Sequence, residues 1–196
     1  MKNFIPLFAA IFFSSYNFCL AKTVLDVIND NKDLSTFSKY LSDTGLDGVL
    51  GKKLPWNWTI FAPSNKAFEE ASLKLKQEIL SDEFFSKNIF MDHIMAGHKT
   101  SLDINEEVST QITVSNKPLQ IYKSKKLYVK DMVVVKENLI GNNGVVHMID
   151  CIMYVQPSTE DDRVSEKMAE MFPVTSCCMR DSKEIESFKK NARNNF

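Results

Sequence analysis

Thr59-Ile60-Phe61-Ala62-Pro63-Ser64-Asn65-Lys66-Ala67-Phe68 is the stretch that decides the fold. Trp58 to Ala62 is apolar and built of strand-forming residues, so it reads as a buried strand. Pro63 cannot donate to a sheet ladder and stops that strand. Ser64 then accepts from the orphan amides of a new helix, which carries Ala67, Phe68 and Ala71 inward. Phe61 and Phe68 would flank the turn from the core side.

A second stretch, Gly144-Val145-Val146-His147-Met148-Ile149-Asp150, follows Asn143. Asn143-Gly144 permits a tight turn, and Val145 to Val155 reads as one long last strand ended by Pro157. Between the two stretches, Ser81 or Asp82 caps a helix with Phe84, Phe85, Ile89, Ile94 and Met95, closed by Gly97. From Ile104 the period changes to two. Ile112 and Val114, Leu119 and Ile121, Leu127 and Val129, and Val133 and Val135 alternate with mostly polar neighbours, as in an antiparallel meander turning at Asn116, Ser124 and Asp131. Upstream, Thr23 caps a short helix with Asp26 as its capping-box partner. Asp33 caps a second, with Leu34, Phe37 and Leu41 on one side and Gly45 at its end. Helices first and strands last make an α+β pattern.

The two stretches together resemble the first and second boxes of the fasciclin (FAS1) family, in order and about 75 residues apart. The resemblance covers residues 22–157. His93 falls where the family has a central Tyr-His pair, with Asp92 as a departure from the tyrosine. The resemblance implies a wedge of two antiparallel or mixed β-sheets with N-terminal and central helices packed on it. It also implies that His147 and Asp150, three apart and so on different faces of a plain strand, are architectural. Thr59, Phe61, Ala62, Pro63, Ser64, Phe68, His93, Asn143 and Gly144 complete that signature. The function it implies is an extracellular or cell-surface binding module without a shared catalytic centre or cofactor, its partner an unidentified protein or polysaccharide. Some members carry an Asp-Ile pair tied to integrin binding just before the second box. Asn138-Leu139 stands there, and an asparagine lacks the carboxylate that a metal-dependent receptor would use.

Composition agrees with a folded module. Of 196 residues 44% are hydrophobic, enough for a core without obligatory metals or disulfides. The net charge of −1 gives no global pull toward nucleic acid or anionic lipid. Residues 1–21 read as a secretory signal: Lys2, the apolar run Phe4 to Phe13, and Ala21 before the cut. Ser14, Ser15 and Asn17 break the run below the roughly 18–20 apolar residues of a span, and Asn17-Phe18 are not the small residues a lipid anchor at Cys19 would follow. The chain is therefore expected to be secreted or periplasmic, with no span in its mature form. Removing the signal leaves Cys151, Cys177 and Cys178, read either as one disulfide of open connectivity with one further thiol, or as a buried, inert Cys151 beside an unimportant cysteine pair in the tail.

The chemistry-bearing residues point to no reaction. His93 and His98 are five apart, off one helical face, and no His-Glu-x-x-His is present. An exported hydrolase or metal-binding protein using His93 and His147 is the alternative class, and small-ligand binding in an intersheet cleft is another. No Gly-x-Ser-x-Gly elbow occurs. Gly45 and Gly51-Lys52 miss the phosphate-loop spacing, and Lys53 replaces its Ser/Thr. Tyr122, Lys123, Lys125, Lys126, Tyr128 and Lys130 form a basic aromatic hairpin, read either as a patch for an acidic polymer or as a solvated edge kept soluble by lysine. Asn57-Trp58-Thr59 is a glycosylation sequon at the mouth of a strand. Residues 158–196 read as a polar tail, partly helical or disordered, outside the domain.

Overall fold

The computed structural model describes residues 21–129, 132–160, 165–171, 174–179 and 182–194. The expected signal, up to residue 20, lies outside them, as do Lys130 and Asp131. The helices are α1 (Val24–Asp30), α2 (Ser35–Asp43), α3 (Asp47–Leu50), α4 (Asn65–Glu70), α5 (Leu73–Leu75, continued by a π-helical turn Lys76–Leu80), α6 (Glu83–Met91), α7 (Glu166–Met171) and α8 (Ser182–Asn194). The strands are β1 (Trp58–Pro63), β2 (Ile94–Ala96), β3 (Ser109–Ile112), β4 (Pro118–Lys123), β5 (Leu127–Val129), β6 (Met132–Gly141), β7 (Gly144–Ile149), β8 (Met153–Pro157) and β9 (Val174–Cys178). The architecture is the expected α+β: a seven-stranded sheet in the order β2-β1-β7-β6-β5-β4-β3 and a two-stranded sheet β8-β9.

The two quoted stretches form the centre. β1 and β7 pair in parallel, Thr59 opposite Val145 and Phe61 opposite His147, and every residue of both strands is buried. A central parallel pair covered on both faces has this continuous apolar sequence. Alternation then divides the strands between two cores. Ile60, Ala62, Val146 and Met148 join the helices in the first core. Phe61 and Ile149 face a second core with Leu119, Ile121, Leu127 and Val129.

Local signals behave as read. Thr23 and Asp26 close a capping box on α1. The Ser64 hydroxyl accepts from the Ala67 amide, and Asp82 accepts from the Phe85 amide. The second helix differs: Asn31 rather than Asp33 supplies the cap, to a 3₁₀ turn that leads into α2. α6 stops at Met91, so Ile94 and Met95 belong to β2 and not to the helix.

The meander is present, but its phase is set by pairing. β6 buries Met132 and Val134 and leaves Val135 53% exposed, because Met132 pairs with Val129 on the core side. Ile112, at the end of the edge strand β3, and Val114, just past it, are exposed too.

The expected last strand, Val145 to Val155, is two strands. β7 ends at Ile149, and β8 starts at Met153 in the second sheet. Cys151 sits in the break, bonded to Cys178 with Cα atoms 5.6 Å apart. The expected boundary at Pro157 cuts through this unit. β8 pairs with β9 from Met153–Cys178 to Pro157–Val174. α8 buries Ile185, Phe188 and Ala192 in the first core. The segment's average polarity hid this, since these apolar residues are few but fall on one helical stripe. Phe188 meets Tyr154 edge-on at 6.4 Å and Phe85 at 6.2 Å. Lys189 pairs with Glu78 at 2.9 Å and Lys74 with Glu186 at 3.3 Å across the same contact.

Candidate functional site

Asn143 is the hub of one end of the domain. Its side chain accepts from the Val24 amide at 2.7 Å and donates to the carbonyls of Leu50 and Lys52 at 2.8 and 2.9 Å. Its own carbonyl accepts from the Trp58 amide. One buried amide thereby joins α1, the α3 exit, β1 and the β6–β7 turn. Gly144 is required beside it for space: a Cβ there would lie 2.2 Å from the Trp58 carbonyl oxygen.

His147 lies on β7, stacked 5.5 Å from Phe61. Its Nε2–H donates to the Lys99 carbonyl at 2.8 Å, which leaves Nδ1 to accept from the Asn138 amide at 3.4 Å. β6 is bulged here. Lys136 pairs with Met148 and Leu139 with Val146, so Glu137 and Asn138 together face His147. Asn138 takes φ 60°, a left-handed value asparagine tolerates. It accepts from the Ser101 amide at 2.8 Å and donates to the Ser101 hydroxyl at 2.7 Å. Burial lowers the His147 pKa, against the opposing pull of the Lys99 carbonyl and Glu137.

His93 follows α6 and is fully buried. Nδ1–H donates to the Ile89 carbonyl at 2.8 Å, and Nε2 accepts from the Met153 amide at 3.0 Å. Burial pushes its pKa down to about 4, only partly countered by the Ile89 carbonyl. Neighbouring Asp92, also fully buried, pairs with Lys117 at 2.9 Å and accepts from the Ser115 hydroxyl. The departure at Asp92 is thus an ion pair tying α6 to the β3–β4 turn. Thr59 donates to the Gly97 carbonyl at 2.9 Å and accepts from the Lys99 amide at 3.0 Å.

Asn143, Thr59, His93 and His147 bond main-chain groups, and both ring nitrogens of His93 and of His147 are occupied. His93 and His147 lie on separate elements with different partners, and among the described residues no group of three or more His, Cys, Asp or Glu could hold a metal ion. Asp150 differs from its expected architectural part: it is exposed just past β7. Sequence reasoning missed Ser101, Lys99 and Met153 as partners, because nothing local marks them. The expected intersheet cleft is filled by Met153, Leu119 and the Cys151–Cys178 bridge. Clefts formed by described residues lie elsewhere. One of about 200 Å³ lies among Asn88, Met91, Ser115, Lys117 and Ala192, and one of about 360 Å³ between Tyr40, Asp43, Ser81 and Ser86.

The basic hairpin stands on β4 and β5. Lys125 and Lys126 are exposed at its tip, while Lys123 lies 3.8 Å from Glu137 and donates to the Ser101 carbonyl. Tyr122 and Tyr128 pair across the strands with their rings stacked 5.1 Å apart and nearly parallel, at 7°. Each ring covers a face of the other, which removes that face as a platform for a ligand.

At the Asn143 end, the loop Gly51–Asn57 carries exposed Lys52, Lys53 and Asn57. Trp56 is 49% exposed and meets Trp58 edge-on at 6.0 Å. Among the described residues, Nε1 of Trp58 is the buried side-chain polar atom that lacks a partner.

Comparison with known proteins agrees with this geometry. The family model described as "Fasciclin domain" matches residues 32–155. Human periostin is 27% identical over 139 residues, and pig transforming growth factor-beta-induced protein ig-h3 is 24% identical over 161. These alignments cover 68% and 81% of this chain but only 16% and 23% of the relatives' own lengths. An uncharacterized protein of Synechocystis sp. is 24% identical over 66% of this chain and 96% of its own. Among solved structures, a FAS1 domain pair from the insect cell adhesion molecule fasciclin I superposes with a TM-score of 0.50 at 22% identity. That match covers 61% of this chain and 44% of the other, and it speaks to fold alone. With the strand–proline–helix unit, the Asn143-Gly144 turn and His147 placed as above, and the family model spanning 32–155, the chain belongs to the fasciclin domain family.

Proposed function

We propose that this protein is an exported binding module that attaches to a protein or polysaccharide at a cell surface or in the envelope, and is not an enzyme. The observation that carries this reading is the use of the signature side chains. His93, His147, Asn143, Thr59 and Ser64 are all engaged by main-chain groups inside the fold. The two imidazoles have both ring nitrogens so engaged, which leaves neither a free lone pair nor a proton there for a substrate and leaves recognition to the surface. Membership of the fasciclin domain family supports the same reading.

The test is binding of the purified chain to isolated envelopes and to extracellular polymer from the source cells, alongside metal analysis. Saturable binding that survives surface-neutral substitutions at the clefts supports the module. Stoichiometric zinc that is retained on dialysis and lost in His93→Ala or His147→Ala would overturn it in favour of a metalloprotein.

A further inference from the structure

We propose that the cleft of about 200 Å³ between α6, α8 and the β3–β4 turn is a subsite for an acetamido group, the N-acetyl substituent of an amino sugar in a surface polysaccharide. The proposal deepens the binding role given above and rests on it. The first observation is an unmet acceptor. Asn88, on α6, lines the cleft and is only 4% exposed. Its side-chain N–H donates to the Phe84 carbonyl at 2.8 Å, and its amide oxygen has no partner among the described residues. Among those residues the side-chain polar atom sealed inside without a partner is Nε1 of Trp58, so the Asn88 oxygen is reached from the cleft. A ligand N–H placed there supplies the hydrogen bond that this buried amide lacks.

The second observation is a donor on the same space. Lys117 lines the cleft and pairs with the buried Asp92 carboxylate at 2.9 Å. Even with both Asp92 oxygens engaged, one of the three N–H groups of the ammonium remains for a ligand carbonyl. Asp92 balances the charge of Lys117, and the other lining residues are uncharged, so the cleft suits a neutral ligand rather than an anion. The turn is already held in place. The Ser115 hydroxyl donates to Asp92, the Thr113 hydroxyl donates to the Lys117 carbonyl at 3.0 Å, and the Val114 amide donates to the Ile94 carbonyl at 2.7 Å. A site so preorganised loses little conformational freedom on binding.

The third observation is an apolar wall. Met91, Val114 and Ala192 line the same cleft. One acceptor, one donor and one apolar wall match the three parts of an acetamido group: its N–H to Asn88, its carbonyl to Lys117 and its methyl against Met91, Val114 and Ala192. At about 200 Å³ the cleft is smaller than the roughly 300–1,000 Å³ of drug-sized pockets, so it takes one substituent and leaves the rest of the ligand outside. A polymer that repeats the group along its length can fill such a subsite with any of its units. The cleft beside Tyr40 lacks these supports: the Ser81 and Ser86 hydroxyls there already donate to the carbonyls of Gln77 at 2.7 Å and Glu83 at 3.2 Å.

The experiment is calorimetric titration of the purified chain with triacetylchitotriose and with cellotriose, which carries hydroxyls in place of the acetamido groups. The expected result is saturable binding of the acetylated sugar, with a roughly 10- to 100-fold preference over cellotriose. The side-chain amide resonance of Asn88 should shift as the acetylated sugar is added. Asn88→Leu and Val114→Glu should each weaken binding by roughly 10-fold. Val114→Glu should keep the parent's urea midpoint, because Val114 is 40% exposed, so its loss of binding is not a loss of fold. Absence of binding to triacetylchitotriose would overturn the proposal, as would equal binding of the two sugars or binding unchanged in Val114→Glu. Tighter binding of an Nε-acetyllysine peptide than of the sugar would overturn it by assigning the cleft to an acetylated protein. Binding to isolated envelopes separates the two readings. Envelope binding by the parent and by Val114→Glu alike overturns the subsite and leaves the module standing, whereas a parent that binds no envelope overturns the module and the subsite together.

Discussion

The main-chain amide of Met153 donates to Nε2 of His93 at 3.0 Å, joining residues 60 positions apart in the sequence. The bond ties the corner between α6 and β2 to the first residue of β8, where the chain leaves the large sheet for the small one. It requires a neutral imidazole with its proton on Nδ1, the tautomer that the Ile89 carbonyl selects.

That requirement predicts a pH dependence. In the unfolded chain His93 protonates near the ordinary imidazole value of 6.5, and in the fold only near 4, because burial disfavours the cation. Between these values the unfolded state binds more protons. The stabilisation is complete above 6.5, declines as pH falls toward 4, and changes no further below that. The loss is on the order of 3 kcal/mol, with His147 acting in the same direction. Urea titrations from pH 7 to pH 4 should show it. A His93→Gln variant should start less stable and fall less steeply.

His147→Ala should destabilise the domain by about 1–3 kcal/mol, since the Lys99 carbonyl and the Asn138 amide lose their partner beside Phe61. Thermal unfolding measures this directly. An unchanged melting temperature would contradict the architectural role.

Asn143→Ala should cost more than His147→Ala, on the order of 3 kcal/mol or above, because three main-chain groups lose their partners at once. Asn143→Asp is the sharper comparison: it keeps the acceptor for Val24 but not the donors for Leu50 and Lys52. Its midpoint should fall between those of the parent and the alanine variant.

Truncation after Pro157 should not leave a stable domain. It removes Phe188 from its contacts with Tyr154 and Phe85 and exposes one edge of β8. Phe188→Ala in the whole chain should itself cost about 3–5 kcal/mol. A 22–157 fragment that melts with the intact chain would sink this prediction.

Opening the Cys151–Cys178 bridge should destabilise by about 3 kcal/mol in the chain-entropy model, given a separation of 27 residues. Cys178→Ser should reproduce the effect of reductant, and adding reductant to that variant should change little.

The local devices of this fold were legible in the sequence. Pro63 and Ser64 act through a missing donor and an i-to-i+3 cap, and Thr23–Asp26 acts the same way. Such bonds are set by chain neighbours, so residue order is enough to read them. Ile60, Ala62, Val146 and Met148 were likewise marked for burial by their own apolarity. Tertiary structure alone decided the partners. Nothing near His93 names Met153, and nothing near Cys151 chooses Cys178. The alternation around Val133 and Val135 gave the wrong face because β6 takes its register from Val129 and its bulge from the pair Glu137–Asn138 opposite His147. The polar average of the C-terminal segment concealed Ile185, Phe188 and Ala192, whose burial depends on a groove built by Tyr154 and Phe85, far away in the chain. Contacts of this kind arise from the packing of distant segments, which periodicity within one segment does not encode.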